Sequence, residues 1–224
     1  MNSKLYIVST PIGNYEDITL RALNILKEVD FIICEEFKEA RRLLSQYKIE
    51  KELFSLNEHN EEESSREVLR KIKEGNSAAL ISDCGTPLFS DPGTQLVQMC
   101  IEAKIDVVPI PGASSLMSAL VGAGFSLGKF YFAGWLSPKT EIRKKELLRL
   151  KSIKEIIVLM ETPYRLKAIL TDISKTFGEK TRLVVAFDLT LPTEKFIRGN
   201  AAQLLTLAEE SKLKGEFVLL INNK

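Results

Sequence analysis

Two aspartates lie close together in the segment LISDCGTPLFSDPG, residues 80–93, where an apolar run ends in small and turn-forming residues. A glycine-rich turn after a strand usually favours a phosphate, because free backbone N–H groups and a helix N-terminus attract an anion. Asp83 and Asp91 would instead repel a phosphate, and their carboxylates would accept hydrogen bonds from hydroxyl or ammonium groups. The segment therefore predicts a ligand that carries hydroxyl groups or a positive charge.

Both aspartates also have purely structural interpretations. Asp83 and Thr86 could satisfy backbone groups at the end of a strand. Asp91 precedes Pro92, and an aspartate N-cap with proline at the first helical position is a common helix start. We therefore expect Asp91 to cap a helix, which leaves one acid, Asp83, to contact the ligand.

Two further turns have the same character. TPIGN, residues 10–14, could be a plain turn with Gly13 in the left-handed region, and PGASS, residues 111–115, places two serines at a helix start that would suit a carboxylate. Together the three turns would offer an acid near a sugar or a cation, and N–H groups near a carboxylate. S-adenosylmethionine has a ribose, a sulfonium and an α-amino carboxylate, so it is consistent with this chemistry. Other ligands with such groups would fit it as well.

The composition disfavours several classes of site. Three cysteines without C-x-x-C spacing (Cys34, Cys84, Cys100) and a single histidine, His59, leave little for a zinc centre or a histidine-based triad. We expect reduced, mostly buried thiols, a structural role for His59, and no metal. Lys+Arg of 31 against Asp+Glu of 30 means that any polyanion must meet a local patch.

No apolar run is long enough to cross a membrane, and the first residues lack the apolar core of a signal peptide, so a cytoplasmic protein is expected. No strand is followed by the G-x-G-x-x-G of a dinucleotide fold or the G-K-[ST] of a phosphate loop. Nucleoside triphosphate hydrolysis is therefore disfavoured.

The turns need elements to hold them, and the first half of the chain alternates between apolar strand patterns and helical patterns. Strands that are apolar throughout and alternate with helices predict a doubly wound parallel sheet. In the second half, two strand patterns follow one another near 182–199 and predict an antiparallel pair in a mixed sheet. The glycines of 122–129 suggest a boundary between an N-terminal α/β domain, 1–124, and a C-terminal mixed α/β domain, 125–224. The predicted elements are strands at 4–10, 30–36, 52–56, 77–83, 106–110, 130–135, 155–161, 182–190, 194–199 and 216–222, with helices at 19–28, 40–48, 62–74, 92–104, 113–123, 139–152, 163–177 and 201–212.

Six segments resemble the successive motifs of the bacterial ribose-2′-O-methyltransferases of small-subunit ribosomal RNA, within the tetrapyrrole methylase superfamily. They are TPIGNYEDITLRAL (10–23), NEHNEEE (57–63), LISDCGTPLFSDPG (80–93), VPIPGASS (108–115), ETPYR (161–165) and KGEFVLL (214–220). The resemblance implies a two-domain fold, S-adenosylmethionine in a cleft between the domains, a homodimer and no metal. It places nine residues at the cofactor: Pro11, Gly13, Asp83, Gly85, Thr86, Ala113, Ser114, Ser115 and Met160.

The acceptor side departs from the family pattern. EEFKEA, residues 35–40, keeps Glu35 but carries Glu36, Phe37 and Lys38 where the family has Asp, Thr and Arg, and AFDLTL, 186–191, lacks two basic residues. Tyr164 replaces the usual histidine of the fifth motif. Glu35, Glu36 and Arg165 are the catalytic candidates, with surface ion pairs as the alternative interpretation.

A basic segment runs from Leu136 to Lys154. It predicts either a solvated helix face or an RNA contact, with Lys38, Lys139 and Arg143 as substrate-binding candidates. The leading hypothesis is an S-adenosylmethionine-dependent methyltransferase of ribosomal RNA that acts on RNA or on the small subunit. The eroded acceptor motifs leave two alternatives: methylation of a tetrapyrrole or another small molecule, and a cofactor-binding module without catalysis.

Overall fold

The computed structural model describes residues 3–89, 91–211, 213 and 215–224. Ser90 and Lys214, which belong to two of the motifs above, lie outside the described residues. The chain divides into two compact units, Met1–Ser114 and Ser115–Lys224. None of the described helices combines the length and the apolar character needed to span a membrane.

The first unit is a parallel sheet of five strands with helices on both faces. Its strand order is β3-β2-β4-β1-β5, and every pair of neighbours is parallel. The elements are β1 (Lys4–Val8), α1 (Leu20–Glu28), β2 (Phe31–Cys34), α2 (Phe37–Gln46), β3 (Glu52–Ser55), α3 (Glu61–Lys73), β4 (Ala78–Ile81), α4 (Thr94–Glu102) and β5 (Asp106–Ile110).

The apolar strand sequences explain this arrangement. All residues of β2 (FIIC) and β4 (AALI) are buried, because consecutive side chains face opposite helical layers. Ile32 packs in the cluster that holds α1 and α2, while its neighbour Ile33 packs in the cluster that holds α3 and α4. The doubly wound prediction is confirmed.

The start of α4 differs from the prediction for Asp91. The helix begins at Thr94, and its N-cap is Gly93, with a φ of 121° and no side-chain cap. Glu61 provides the missing acceptor, since its Oε1 accepts hydrogen bonds from the N–H of Gly93 at 2.8 Å and of Gln95 at 3.3 Å. The expectation that Asp91 caps the helix was wrong, because the left-handed Gly93 delays the helix until after Pro92.

The second unit is a mixed sheet of five strands in the order β6-β7-β10-β8-β9. β6 and β7 are parallel, while β10 is antiparallel to both β7 and β8, and β8 is antiparallel to β9, as predicted from the short connection between them. The elements are α5 (Ser115–Gly122), β6 (Phe130–Trp135), α6 (Thr140–Leu150), β7 (Ile156–Glu161), α7 (Leu166–Phe177), β8 (Arg182–Phe187), β9 (Lys195–Asn200), α8 (Ala201–Glu210) and β10 (Phe217–Asn222).

The two faces of this sheet are covered differently. The helices α6, α7 and α8 pack on one face, where Leu147, Ile169 and Leu204 join a cluster with alternate strand residues. On the other face, α5 contributes Leu116 and Leu120 to a separate cluster. Because α5 packs on the second sheet, the chain divides between Ser114 and Ser115, earlier than the predicted boundary after residue 124.

Candidate active site

Three of the predicted turns meet at the carboxyl edge of the first sheet, where β1, β4 and β5 end side by side. The N–H of Thr10 donates to the carbonyl of Gly85 at 2.8 Å, and its hydroxyl donates to the carbonyl of Ser82 at 3.0 Å. The Thr86 hydroxyl in turn donates to the carbonyl of Ala113 at 2.9 Å, and the Ser9 hydroxyl donates to Thr86 Oγ1 at 3.1 Å. These bonds fix the turns after the three strands as one surface.

Two glycines permit this close approach. Gly85 has a φ of +84°, in the left-handed region that glycine adopts without strain. At Gly112 a Cβ atom would lie 2.8 Å from Cβ of Ser9, so any side chain there would push the turn after β5 away from the end of β1. The sequence feature of small residues after each strand is therefore a packing requirement.

Three carboxyl groups gather at the same edge. Burial raises the pKa of Glu35, and the nearby Asp83, Asp91 and Glu36 raise it further. Burial also raises the pKa of Asp83, with Glu39, Glu36 and Asp91 adding to the effect, although the Glu36 backbone N–H donates to this carboxylate and opposes the shift. The edge is thus strongly acidic.

Asp91 is the third of these groups. Burial raises its pKa, opposed by hydrogen bonds from the Ser82 hydroxyl and the Leu88 backbone N–H. Within the described part of the chain, no lysine or arginine forms an ion pair with Asp91, Asp83 or Glu35. A bound cation would supply the missing partner, so the donor set fits the positively charged sulfonium and ammonium of S-adenosylmethionine, and the carboxylates fit its ribose hydroxyls as acceptors.

The remaining predicted residues of the first unit surround this edge. Pro11 is buried and Gly13, Ala113 and Ser114 are half-buried in the turns after β1 and β5. Glu36 and Lys38 are exposed at the start of α2, directly after β2. Glu35, between them and the last residue of β2, keeps a half-buried position.

The predicted residues of the second unit lie in a different environment. Arg165 does not project freely, because its Nη2 donates to the carbonyls of Leu136 and Ser137, both at 3.0 Å. The same nitrogen lies 2.8 Å from Oε1 of Glu161, whose carboxyl is fully buried at the end of β7. That contact lacks hydrogen-bond geometry at Oε1, so it is an electrostatic contact, while Oε2 accepts from the Thr162 N–H at 3.1 Å.

Burial raises the pKa of Glu161, against the lowering effect of the Thr162 N–H and the two arginines, Arg165 and Arg143. Arg165 therefore positions the segment after β6. This placement gives it a structural task that its prediction as a catalytic residue did not include.

Arg143 is the clearest departure from expectation. Its side chain is only 6% exposed, and its Nε and Nη2 lie 2.8 Å and 2.7 Å from Oδ2 of the equally buried Asp172. Its Nη1 donates to the carbonyl of Pro138 at 3.2 Å. The prediction that Arg143 contacts RNA fails, because the guanidinium is engaged inside the unit.

The other predicted residues of this unit have simpler placements. Lys139 is exposed immediately before α6, Met160 is half-buried near the end of β7, and Ser115 opens α5. Tyr164, which replaces the family histidine, is 97% exposed.

Sequence reasoning missed four residues that hold these sites together. Ser9 and Thr10 are both buried. They could have been found from the sequence, because two hydroxyl residues follow the first apolar strand directly. Glu161 could also have been found, because it ends an apolar strand and the ETP turn that follows brings the chain back to Arg165 within four residues. Asp172 gave no sign, because nothing in its local sequence connects it to Arg143.

The three cysteines and the histidine differ in exposure. Cys34 and Cys100 are buried and Cys84 is exposed. His59 is also exposed, with its Nε2 3.5 Å from Oε1 of Glu58. Among the residues that the structure describes, no three His, Cys, Asp or Glu side chains are grouped so as to hold a metal ion.

Comparison with known proteins identifies the family. The family described as "Tetrapyrrole (Corrin/Porphyrin) Methylases" matches residues 4–205. A Pasteurella multocida protein named "Ribosomal RNA small subunit methyltransferase I" is 42% identical over 222 residues, which cover 98% of this chain and 79% of that protein. A Thermotoga maritima protein of the same name is 40% identical, and the match covers 99% of both chains.

Solved structures show the same fold at low identity. A cobalt precorrin-4 methyltransferase of cobalamin biosynthesis has a TM-score of 0.73 at 19% identity, with 98% of this chain and 95% of that chain covered. A uroporphyrin-III C-methyltransferase from Thermus thermophilus, complexed with S-adenyl homocysteine, has a TM-score of 0.68 at 16% identity, with 97% and 96% covered. The sequence matches and this fold agree: the chain belongs to the tetrapyrrole methylase family and, within it, to the ribosomal RNA small subunit methyltransferase I group.

Proposed function

We propose that this protein transfers a methyl group from S-adenosylmethionine to a ribose 2′-hydroxyl of small-subunit ribosomal RNA. The observation that carries the proposal is the 42% identity over 98% of the chain to a protein named as a methyltransferase of that RNA. The acidic edge of the first sheet is consistent with it, since carboxylates without basic partners suit a cationic cofactor.

The cofactor would be held mainly by the three turns at that edge. When bound, S-adenosylmethionine supplies an electrophilic methyl group on a positively charged sulfur. Asp83 would accept hydrogen bonds from its hydroxyl or ammonium groups, and the closely packed turns would bring backbone N–H and C=O groups to it. The proposed contacts are Pro11, Gly13, Asp83, Gly85, Thr86, Ala113, Ser114 and Ser115, with Met160 at the adenine.

The acceptor hydroxyl must lose its proton as its oxygen bonds to the methyl carbon. Glu35 is the favoured base, because burial and the neighbouring acids raise its pKa towards the value that proton transfer at neutral pH requires. Glu36, exposed beside it, is the second candidate. Arg165 acts instead through the segment it holds, as a positioning residue.

Lys38 and Lys139 are the exposed cations proposed to contact RNA phosphates. We further expect the enzyme to act in the cytoplasm as a homodimer, which light scattering of the purified protein would test. A monomer at working concentrations would contradict that expectation.

The function is tested by incubating the purified protein with methyl-labelled S-adenosylmethionine and small ribosomal subunits from a strain that lacks the corresponding gene. We expect label in the ribosomal RNA, at alkali-resistant 2′-O-methylated nucleotides. The Glu35→Gln variant should bind the cofactor and lose most of the transfer, by roughly 100-fold as is usual for loss of a general base.

Two alternatives are outcomes of the same assay. Label that enters an added porphyrinoid but not the RNA would replace the proposal by small-molecule methylation. Cofactor binding by calorimetry, without transfer to either acceptor, would replace it by a binding module. Label in the RNA from wild type but not from Glu35→Gln would support both the function and the assigned base.

A further inference from the structure

A groove crosses one end of the second sheet. Met160 and Glu161 lie at the other end of this sheet. Ile156, Arg182 and Asn222 lie side by side in the register of β7, β8 and β10 and form its floor. Since β7 runs from Ile156 to Glu161, this floor lies roughly 16 Å from Glu161, at about 3.3 Å per residue. The groove is therefore separate from Met160, the residue of β7 that is proposed to face the cofactor.

Its dimensions suit an extended ligand. The main depression has a volume of about 1070 Å³, and it adjoins a second one of about 490 Å³. The two share Phe125, Lys180 and Arg182, so they form one continuous surface, which we call the basic groove. A single small anion would fill only a fraction of this space.

Positive charge dominates the lining. The lysines and arginines of the basic groove are Lys154, Lys180, Arg182, Arg198 and Lys224, and Glu179 is the acidic side chain among its lining residues. Such a concentration stands out in a chain whose formal charge is only +1. Like charges gathered in one concave surface repel one another and raise the local potential for an anion.

These cations are not neutralised by the protein. Lys224 donates to the carbonyl of Ser126 at 2.9 Å and Arg198 to that of Phe196 at 3.3 Å, but within the described ranges none of the five forms an ion pair with a carboxylate. Elsewhere in the same unit, Lys167 of α7 lies 3.2 Å from Glu209. Arg198 also donates from Nη2 to the carbonyl of Gly122, and Lys154 Nζ lies 3.5 Å from the carbonyl of Lys151. These contacts orient the side chains without cancelling their charge, which can attract an anionic ligand.

The turn that presents Lys180 is held in place before any ligand binds. The hydroxyl of Thr181 donates to the carbonyl of Phe177 at 3.0 Å, and the first N–H groups of α8 donate to the carbonyls of Thr181 at 2.9 Å and Glu179 at 3.1 Å. Those N–H groups are therefore occupied, and the side chains, not the helix end, provide the binding capacity. A preorganised site loses less entropy on binding.

Aromatic rings accompany the cations. The guanidinium of Arg182 lies over the ring of Phe125 at 5.7 Å, and that of Arg198 lies over Phe196 at 5.1 Å. Phe125 lines the basic groove, whereas Phe196 packs with the cluster that holds α5. Surfaces that bind single-stranded nucleic acid combine cations that meet the phosphates with aromatic or guanidinium planes on which bases stack, and the stacked pair of Arg182 and Phe125 is consistent with that combination.

We propose that the basic groove binds the phosphodiester backbone of a single-stranded segment of the RNA substrate, as an anchor separate from the acceptor nucleotide. This inference rests on the proposed function for the identity of the ligand. It also gives Lys154, at the end of the basic segment noted in the sequence, a specific place on the RNA path.

The test compares two full-length double variants that each lose two positive charges. Lys180→Gln with Arg182→Gln removes the centre of the basic groove. Lys27→Gln with Lys73→Gln is the matched control, because both lysines are exposed in the last turns of α1 and α3 in the first unit. Each protein is titrated with labelled oligouridine and with small-subunit ribosomal RNA over a series of salt concentrations, and cofactor affinity is measured by calorimetry.

The groove variant should bind both RNAs at least several-fold more weakly, with a salt slope reduced by about 1.4 if each residue contacts one single-strand phosphate. Its cofactor affinity and its circular dichroism should match wild type, and the control should retain the RNA affinity. Wild-type RNA affinity and salt slope in the groove variant would overturn the proposal. So would loss of inorganic phosphate binding without any change in RNA binding, which would mark a small-anion site.

The two proposals fail in distinguishable ways. RNA binding that depends on Lys180 and Arg182, in a protein that transfers no methyl group to RNA, would overturn the enzymatic function and leave the groove standing. Methyl transfer to RNA by the groove variant at wild-type affinity and rate would overturn the groove alone.

Discussion

The carboxyl groups of the two units have opposite kinds of neighbours. In the second unit the buried acids Glu161 and Asp172 each face an arginine, at 2.8 Å and 2.7 Å. In the first unit Glu35, Asp83 and Asp91 face one another, and the neighbouring acids raise the pKa of Glu35 and Asp83 above the shift due to burial. Paired acids hold backbone segments in place, whereas acids held together without cations destabilise the unit unless a ligand brings positive charge.

Burial alone does not show this contrast. Asp172 is the more buried group, yet its geometry is complete within the protein. Asp83 is exposed at the surface although its carboxyl is partly desolvated, and the groups near it are mainly other acids. The proposal that Asp83 faces the cofactor therefore rests on its lack of a basic partner among the described residues, rather than on its exposure.

The largest effect that this contrast predicts comes from the loss of Arg143. Arg143→Ala leaves Asp172 buried without a partner, and we expect the free energy of unfolding to fall by about 3 to 5 kcal/mol. Trp135, the one tryptophan of the chain, lies in the second unit, so its fluorescence during urea unfolding follows the affected unit.

The control for this prediction removes both charges. Arg143→Met with Asp172→Leu should recover most of the lost stability, because no unpaired charge then remains inside the unit. If the double variant were as unstable as the single one, shape rather than charge pairing would explain the role of Arg143.

The opposite behaviour is expected at Asp83. Asp83→Asn removes one of the mutually repelling acids, so the free energy of unfolding should stay level or rise slightly, while affinity for S-adenosylmethionine falls by roughly tenfold to a hundredfold for the loss of charged hydrogen bonds. Calorimetry and urea unfolding measure the two effects. Unchanged affinity would remove Asp83 from the cofactor site.

The pH dependence of the free energy of unfolding follows from the raised pKa values of Glu35, Asp83 and Asp91. A carboxyl whose folded pKa exceeds its unfolded pKa destabilises the folded state above both values, and this penalty disappears as pH falls through the folded pKa. The stability advantage of Asp83→Asn should therefore shrink in weakly acidic solution.

A fall in pH relieves this penalty on folding, but it should weaken cofactor binding. Protonation of these acids weakens their attraction for a cation, so affinity should fall as the pH falls through their raised pKa values, with release of protons on binding in that range. Calorimetry in buffers of different ionisation enthalpy would detect that release. Binding without proton release throughout the weakly acidic range would show that the acids do not meet the positive charge.

The smallest expected effect concerns Cys84, which lies between Asp83 and Gly85 and is exposed. Burial raises the pKa of Cys34 to about 12 and of Cys100 to about 11, so iodoacetamide should modify Cys84 first. S-adenosylhomocysteine should slow that modification severalfold in wild type, as mass spectrometry of the three cysteine peptides would show. Equal rates with and without the ligand would place it away from this turn.

The sequence predicted most of the fold because its elements have local causes. Apolar runs such as FIIC and AALI, which are short and alternate with helical patterns, predict buried strands between helical layers, and the short link between β8 and β9 predicts antiparallel pairing. The helix cap at Asp91 was wrong because the true acceptor, Glu61, is distant in sequence from α4. A local pattern cannot show a partner of that kind.

The candidate site shows the same limit. The three turns at the sheet edge were found because turn residues directly follow apolar strands, and the topology brings those strand ends together. The pairing of Arg143 with Asp172 joins two helices, α6 and α7, and a basic helical sequence does not reveal which of its arginines turns inward. The charged residues of a sequence show which ion pairs and ligand contacts are possible, and only the tertiary contacts show which of them form.

The strand order of the second sheet has a consequence for synthesis. β10, the last strand in sequence, lies between β7 and β8, whereas β5, the last strand of the first sheet, lies at an edge. The first unit can therefore complete its fold while later residues are still being translated. The second cannot join its two halves until residues 217–222 have left the ribosome, so nascent chains that stall before this point should expose two unjoined sheet edges to chaperones and proteases.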